Sequence, residues 1–185
     1  MMDMNETFKS QLLDLIRSAS LSRLKSLSQM DNLKIGEIDE EPRVFSHWMS
    51  FAFLSGKNLR IVFKAHFMTS AAQFFASKIY KGPKEKIKST QAIDFFKEFC
   101  GLTVGQLKLD LSKSNVRVGI SLPGLIRGFD EVFYKRTKGV IHDFWRIEEG
   151  SWRVDCSVDV EVFEKFSIVD LDSVDQTKLG DVEFL

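Results

Sequence analysis

Hydrophobic residues recur along the chain with two different spacings, and these spacings predict its secondary structure. Steps of three and four residues predict amphipathic helices over 5–29, 69–80 and 90–109. Runs rich in β-branched and aromatic residues predict strands, and they cover residues 44–54, 59–67, 115–122, 139–147 and 152–163. We therefore predict an α+β fold, in which the helices lie on one face of a mostly antiparallel sheet.

Turn-forming residues separate the predicted elements. The segments 55–58 (SGKN) and 148–151 (EEGS) have the composition of hairpin turns. The polar segment 30–42 is interpreted as a connection, and the acidic segment 165–185 as a C-terminal extension. The length of 185 residues predicts one domain, spanning residues 1–185.

Composition and net charge narrow the class of protein. Hydrophobic residues make up 44% of the chain and charged residues 28%, which is typical of a globular domain. The 26 basic and 26 acidic residues cancel, which argues against binding nucleic acid or a membrane through bulk charge. Two cysteines are too few for a disulfide framework. With no recognisable targeting segment or apolar span, we expect a cytoplasmic protein that binds neither nucleic acid nor membrane.

Charge is nevertheless segregated along the sequence. Residues 57–88 carry eight Lys or Arg against one Glu, and residues 155–185 carry nine acids against two lysines. Two interpretations stay open at this point. The charges belong either to solvated surfaces of different elements, or to a basic face that meets an acidic partner.

Most residues with reactive side chains have a structural interpretation. His47, His66 and His142 stand at no metal-binding spacing, and we interpret them as hydrogen-bonded strand histidines. Cys100 lies in an apolar run and is interpreted as a buried, inert thiol. The sequence therefore predicts no metal site and no cofactor site of its own.

The third predicted helix carries the most informative pattern. Asp94, Glu98, Gly101, Gly105 and Lys108 follow one another at steps of four, three, four and three residues, which places them on one helical face. Glycine costs about 1 kcal/mol relative to alanine inside a helix. Two glycines on one face therefore predict that another group packs closely against that face.

The run AIDFFKEFCGLTVGQLKLDL, followed by VRVGISLPGLIRG, resembles the CheC/CheX/FliY family of chemotaxis phosphatases. The family signature is Asp or Ser, then Glu four residues on, Asn three residues after that, and a later Pro. Asp94, Glu98 and Pro123 stand in matching places, and Gly105 matches a glycine usual in CheX-like helices. The position of the family asparagine is occupied by Gly101.

The resemblance implies a partner and a mechanism. In the family the helix inserts into the active site of a phosphorylated CheY-like receiver domain, where the glutamate pairs with a receiver lysine. The asparagine carboxamide orients the water that attacks the aspartyl phosphate, and the receiver supplies the Mg²⁺. The resemblance thus implies that Asp94, Glu98, Gly105 and Pro123 contact a receiver, with Glu98 and position 101 catalytic. It also implies a homodimer.

Three hypotheses follow: an aspartyl-phosphate phosphatase, a catalytically silent receiver-binding module, and a structural dimer subunit. The presence of Glu98 favours the first two, and Gly101 favours the second over the first, because glycine cannot hold a water. Gln106 carries a carboxamide but lies about 140° around the helix from position 101. Since Asn and Gly are both poor helix formers, we expect Gly101→Asn to cost little helix stability.

Overall fold

The computed structural model describes residues 6–36, 48–127, 139–164 and 166–168. Three α-helices and seven strands lie in these ranges: α1 (Glu6–Ser28), β1 (Lys34–Gly36), β2 (Trp48–Gly56), β3 (Leu59–Phe67), α2 (Thr69–Tyr80), α3 (Ser89–Lys113), β4 (Val118–Ile120), β5 (Gly124–Arg127), β6 (Val140–Glu149) and β7 (Trp152–Val162). A 3₁₀ turn at Lys84–Lys86 precedes α3. The three predicted helices are confirmed, and α2 has the predicted bounds.

The strands form one antiparallel sheet in the order β1-β6-β7-β3-β2-β4, and β5 also pairs with β2. The hairpins β2–β3 and β6–β7 pair residue by residue along nearly their whole length. In β3 the residues at 59, 61, 63, 65 and 67 are fully buried under the helices. The predicted class, an α+β fold with helices on one face of an antiparallel sheet, is confirmed.

Phenylalanines fix α3 against the centre of the sheet. Phe96 stacks on Phe67 with ring centroids 4.1 Å apart, and Phe99 meets Phe63 edge-on at 5.6 Å. Burying a side chain of this size stabilises the fold by about 1.5–3 kcal/mol. These contacts set the rotation of α3 about its axis, and they leave Asp94 and Glu98 on the solvent side.

Two sequence predictions need correction. The connection 30–42 contains a short edge strand, β1, which pairs with β6. The predicted strand 115–122 is shorter than expected, and a further strand begins after it at Gly124. The break falls at Pro123, which has no backbone N–H to give to a sheet. Pairing resumes at Gly124, where the Phe51 ring covers the Cα so closely that no β-carbon fits.

Several predictions fall wholly or partly outside the described residues: His47, residues 44–47 of the first predicted strand, 37–42 of the connection, and residues 165 and 169–185 of the acidic extension. Just after β7, Phe166 packs edge-on against Phe8 of α1 with ring centroids 5.0 Å apart. None of the described helices is both long enough and apolar enough to cross a membrane.

Candidate functional site on the exposed face of α3

Helix α3 is amphipathic, and its ends are defined by local contacts. The backbone N–H of Lys88 donates to Oε1 of Gln91 at 3.0 Å, which closes the first turn. The helix stops before Asn115, whose positive φ of 57° turns the chain out of the helix. Ten residues of the helix are buried, so the remaining face alone is available to a partner.

Asp94 and Glu98, the two carboxylates that match the family signature, lie on this exposed face. The Asp94 side chain is 70% exposed and forms an ion pair with Lys97, with 3.4 Å between Oδ1 and Nζ. Glu98 is exposed and forms no ion pair with any described residue. The predicted placement of Asp94 and Glu98 on one accessible face is therefore confirmed. The Glu98 carboxylate can accept a hydrogen bond or pair with a cation from another molecule.

Gly101 lies directly against Pro123. A β-carbon added at position 101 would come within 3.0 Å of the proline Cγ, closer than side chains normally approach. Two positions that the resemblance singled out, far apart in sequence, are therefore in contact. The predicted close packing at Gly101 is confirmed, and the packing group belongs to this chain.

Hydrogen bonds and packing hold Pro123 in place on both of its sides. The backbone N–H of Ser121 donates to the Phe53 carbonyl at 2.9 Å, and the Phe53 N–H donates to Ser121 Oγ at 3.0 Å. On the other side, the Phe51 ring covers Gly124. An asparagine at position 101 would require the proline ring to shift by a few tenths of an ångström. The expectation that Gly101→Asn costs little concerned helix stability alone, and the contact with Pro123 adds a packing cost that this expectation did not include.

Gly105 differs from Gly101. A β-carbon at Gly105 would have no heavy atom within 4 Å beyond the helix itself and its chain neighbours. The predicted close packing at this position is wrong within the described chain. Lys108 is exposed one turn further on, so the face continues past the opening at Gly105.

Gln106 does not substitute for the missing asparagine. Its Nε2 donates to Asp110 Oδ2 at 2.9 Å, and its Oε1 accepts from the guanidinium of Arg23 on α1. Both contacts direct the carboxamide towards the α1–α3 boundary. The sequence argument from the helical angle led to the same conclusion.

The remaining candidate groups are structural. His66 is buried, its Nε2 lies 2.9 Å from Ser157 Oγ, and burial, aided by Lys64, lowers its pKa to about 3. His142 Nδ1 lies 2.7 Å from Asp159 Oδ1. Burial raises the pKa of Cys100 to about 12, so the thiol stays protonated, as predicted. The described ranges contain no group of three or more side chains placed to hold a metal ion.

Sequence reasoning missed an apolar rim beside the site. Leu122 is 91% exposed, next to the proline that contacts Gly101, and Ile120 and Leu102 are exposed at 46% and 38%. The signal was the leucine directly before Pro123, where a strand must break off. A leucine at such a break need not face the core. The site therefore combines a carboxylate that forms no ion pair with a described residue and an exposed apolar edge.

Comparison with known proteins gives structural relatives only. No family model and no curated protein match the chain. A CheC-like superfamily protein from Shewanella sp. PV-4 superposes with a TM-score of 0.69 at 16% identity, over 85% of this chain and 99% of that one. CheX from Vibrio vulnificus gives 0.67 at 13% identity, over 82% and 99%. A chain of the CheX–CheY–BeF3–Mg complex from Borrelia burgdorferi gives 0.63 at 15%, over 82% and 97%.

These superpositions include nearly the whole length of each relative, so they cover the sheet and the helix layer together. The chain has the fold of the CheC-like and CheX chemotaxis proteins.

Proposed function

We propose that this protein docks a CheY-like receiver domain through the exposed face of α3, and that it hydrolyses the receiver's aspartyl phosphate weakly or not at all. One observation carries the proposal. The helix offers Glu98 free of any ion pair with a described residue, while the position that would orient the attacking water is a glycine packed against Pro123.

Binding follows from the chemistry of this face. An exposed carboxylate with no described ion-pair partner can pair with a receiver lysine without first breaking an internal ion pair. The apolar rim at Leu122 adds area that a partner can bury, and full burial of a leucine is worth about 1.5–3 kcal/mol. An apolar patch bordered by polar and charged groups is the usual composition of a protein interface.

Weak catalysis follows from position 101. Phosphoryl transfer in such a site depends on positioning and electrostatics, with the metal supplied by the receiver. A glycine has no group to hold the water, and the anchored Pro123 occupies the space into which a longer side chain would grow. We therefore expect the bound receiver to lose its phosphoryl group at close to its spontaneous rate.

The partner class is supported by the comparison. A chain with this fold comes from a complex of CheX with CheY, BeF3 and Mg. BeF3 on a receiver stands in for the phosphoryl group of an aspartyl phosphate. In this chain the face of α3 that carries Asp94 and Glu98 is exposed, and we propose that the receiver docks there.

The test is binding to a panel of receiver domains from the same genome, each measured with and without BeF3 and Mg. We expect one receiver to bind more tightly in its BeF3 form, and Glu98→Gln to weaken that binding at least about tenfold. Glu85→Gln, which changes an exposed glutamate outside the site, is the matched control. Equal effects of the two substitutions would place the docking face elsewhere.

Catalysis is tested by the rate of phosphate loss from the labelled receiver, with wild type, Glu98→Ala and Gly101→Asn compared. We expect the wild-type rate to stay close to the spontaneous rate. Rapid wild-type hydrolysis abolished by Glu98→Ala would keep the site and refute the silent module. Rapid hydrolysis that survives Glu98→Ala would refute the site itself.

The homodimer implied by the resemblance is part of the same proposal. Sedimentation equilibrium of the free protein and of its receiver complex tests it. A monomer at all concentrations would exclude a dimer and leave receiver docking as the remaining function.

A further inference from the structure

The basic residues of 57–88 fall into two structurally different groups. Three of the eight pair with acids on or just after β7: Lys57 with Glu164, Arg60 with Glu161 and Lys64 with Asp159. The β3–β7 register places the second of these pairs directly opposite each other. These three basic residues are therefore neutralised by acids of the same chain, and they account for part of the charge segregation seen in the sequence.

The other five are lysines, and none of them forms an ion pair with a described carboxylate: Lys78, Lys81, Lys84, Lys86 and Lys88. The first of them, Lys78, lies in the last turn of α2, and the last, Lys88, directly precedes α3. The only acid among residues 78–88 is Glu85, so the local net charge is +4. We call these five residues the lysine surface.

Two aromatic rings fix part of the lysine surface. Phe74 and Trp152 are stacked, with ring centroids 4.4 Å apart and 9° between the ring planes. The ammonium of Lys78 lies 4.5 Å from the Phe74 centroid, and that of Lys84 lies 4.3 Å from the Trp152 centroid. A cation–π contact attracts an ammonium group to the face of an aromatic ring. These two lysines are therefore partly ordered before any ligand arrives.

The same contacts decide which ligand chemistry fits. The stacked rings have a neighbour on each side, so neither offers a free face to a nucleic-acid base. Both rings are half-buried, so neither is available to insert into a lipid surface. What the surface offers is ammonium groups, and these bind carboxylates.

We propose that the lysine surface binds the acidic segment 170–183 of the same chain. This segment carries four aspartates and one glutamate against one lysine, a net charge of −4 that matches the +4 of the surface. The last described residue is Ile168. Asp181 lies thirteen positions further along the chain, and a fully extended chain covers that distance with a span of up to about 43 Å. A domain of this size is about 40 Å across, so the fully extended segment is as long as the domain is wide.

The proposed contact is electrostatic and cumulative. Each exposed ion pair contributes little by itself and is screened by salt. Several pairs acting together therefore give a contact that forms at low ionic strength and weakens as salt is added. This proposal goes beyond receiver docking and does not depend on it.

Zero-length carbodiimide cross-linking of the full chain, followed by mass spectrometry, tests the contact directly. At low salt we expect monomeric protein with amide links between the lysine surface and the acids of 170–183, and these links should disappear at high salt. The Lys57–Glu164 pair, 3.1 Å apart, is the internal positive control. Links from the segment that occur only between two copies would overturn the proposal.

Lysine acylation rates give a second, independent readout. The variant with Asp170→Asn, Asp172→Asn, Asp175→Asn, Asp181→Asn and Glu183→Gln should label at the five lysines at least about twofold faster than wild type, as expected if the segment occupies the surface half of the time. Lys57 should not change. Unchanged rates at the five lysines would overturn the proposal. Protection that arises only from added phosphatidylglycerol vesicles or an oligonucleotide would overturn it too, in favour of those ligands.

Discussion

Gly101 and Gly105 stand one turn apart on the same helix, and the structure gives them opposite surroundings. A β-carbon at Gly101 would come within 3.0 Å of Pro123, whereas one at Gly105 would have no heavy atom within 4 Å beyond its own helix and chain neighbours. Both glycines carry the same cost in helix propensity, about 1 kcal/mol relative to alanine. At Gly101 packing within the chain explains the glycine. At Gly105 no described contact does.

A glycine on a helix face can therefore have one of two structural roles. Gly101 lets α3 approach the segment between β4 and β5, so it serves the fold and removes the side chain on which family catalysis depends. Gly105 leaves an opening on the proposed docking face, so any benefit of the missing side chain must come from a partner. The following predictions test this division.

The largest expected effect is the difference between matched leucine substitutions. Gly101→Leu should lower the free energy of unfolding by about 2 kcal/mol, because the side chain overpacks against the anchored proline. Gly105→Leu should raise it by about 0.5 kcal/mol, because leucine is a better helix former and the space is open. Urea unfolding measures both. Equal changes at the two positions would contradict the division.

A double-mutant cycle should locate the cause of the Gly101 effect. Pro123→Ala combined with Gly101→Ala should show a coupling of about 1 kcal/mol, because the proline ring is the group that the new β-carbon meets. Pro123→Ala combined with Gly105→Ala should be additive within about 0.5 kcal/mol. Coupling in the second cycle would mean that Gly105 also senses the proline.

Gly105→Ala alone should stabilise the protein by about 0.8 kcal/mol, the gain in helix propensity with no packing cost. If a receiver packs into the opening, the same substitution should weaken receiver binding while it stabilises the fold. Thermal unfolding and binding of the BeF3-bound receiver, measured on the same preparation, separate the two effects. A stabilised variant with unchanged binding would show that the opening is unused.

Most of the fold could be predicted from the sequence because its signals are local. The helices and the two long hairpins follow from periodicity and turn residues, and α2 lies at the predicted bounds. β1 could not be predicted, because three residues carry no period and gain their order only from pairing with β6. The strand after Pro123 was missed for a related reason, since it depends on β2 and on the Phe51 ring.

The candidate site was predictable in part. The helical spacing put Asp94 and Glu98 on one exposed face, as observed. The identical residue type at positions 101 and 105 gave no way to predict that Pro123 would fill the space beside only one of them. The same limit applies to the basic residues of 57–88, where ion pairs to acids on or just after β7 form at some positions and not at others. Such differences arise between elements distant in sequence.

The smallest expected effect is that of pH on the gap between the two leucine variants. His66 is buried with a pKa of about 3, against 6.5 in the unfolded chain, so between these values the unfolded state binds the extra proton. The contribution of His66 to the free energy of unfolding should therefore be greatest above pH 6.5. It should fall as the pH drops below that value, by about 1.4 kcal/mol per pH unit. His66→Gln, which can keep a hydrogen bond to Ser157, should remove that slope.

The gap itself should not move with pH. The alternation of β3 puts His66 on the face of the sheet away from the helices, while both glycines lie on α3, so the contributions should add. Urea unfolding at pH 7.5 and pH 5.5 should lower both leucine variants equally and leave their difference within about 0.5 kcal/mol. A gap that shrinks at pH 5.5 in wild type, and not in His66→Gln, would mean that the proline contact is coupled through the sheet to the histidine. The stability effect of substitutions at Gly101 would then depend on the protonation of His66 across the sheet, and not only on the local contact with Pro123.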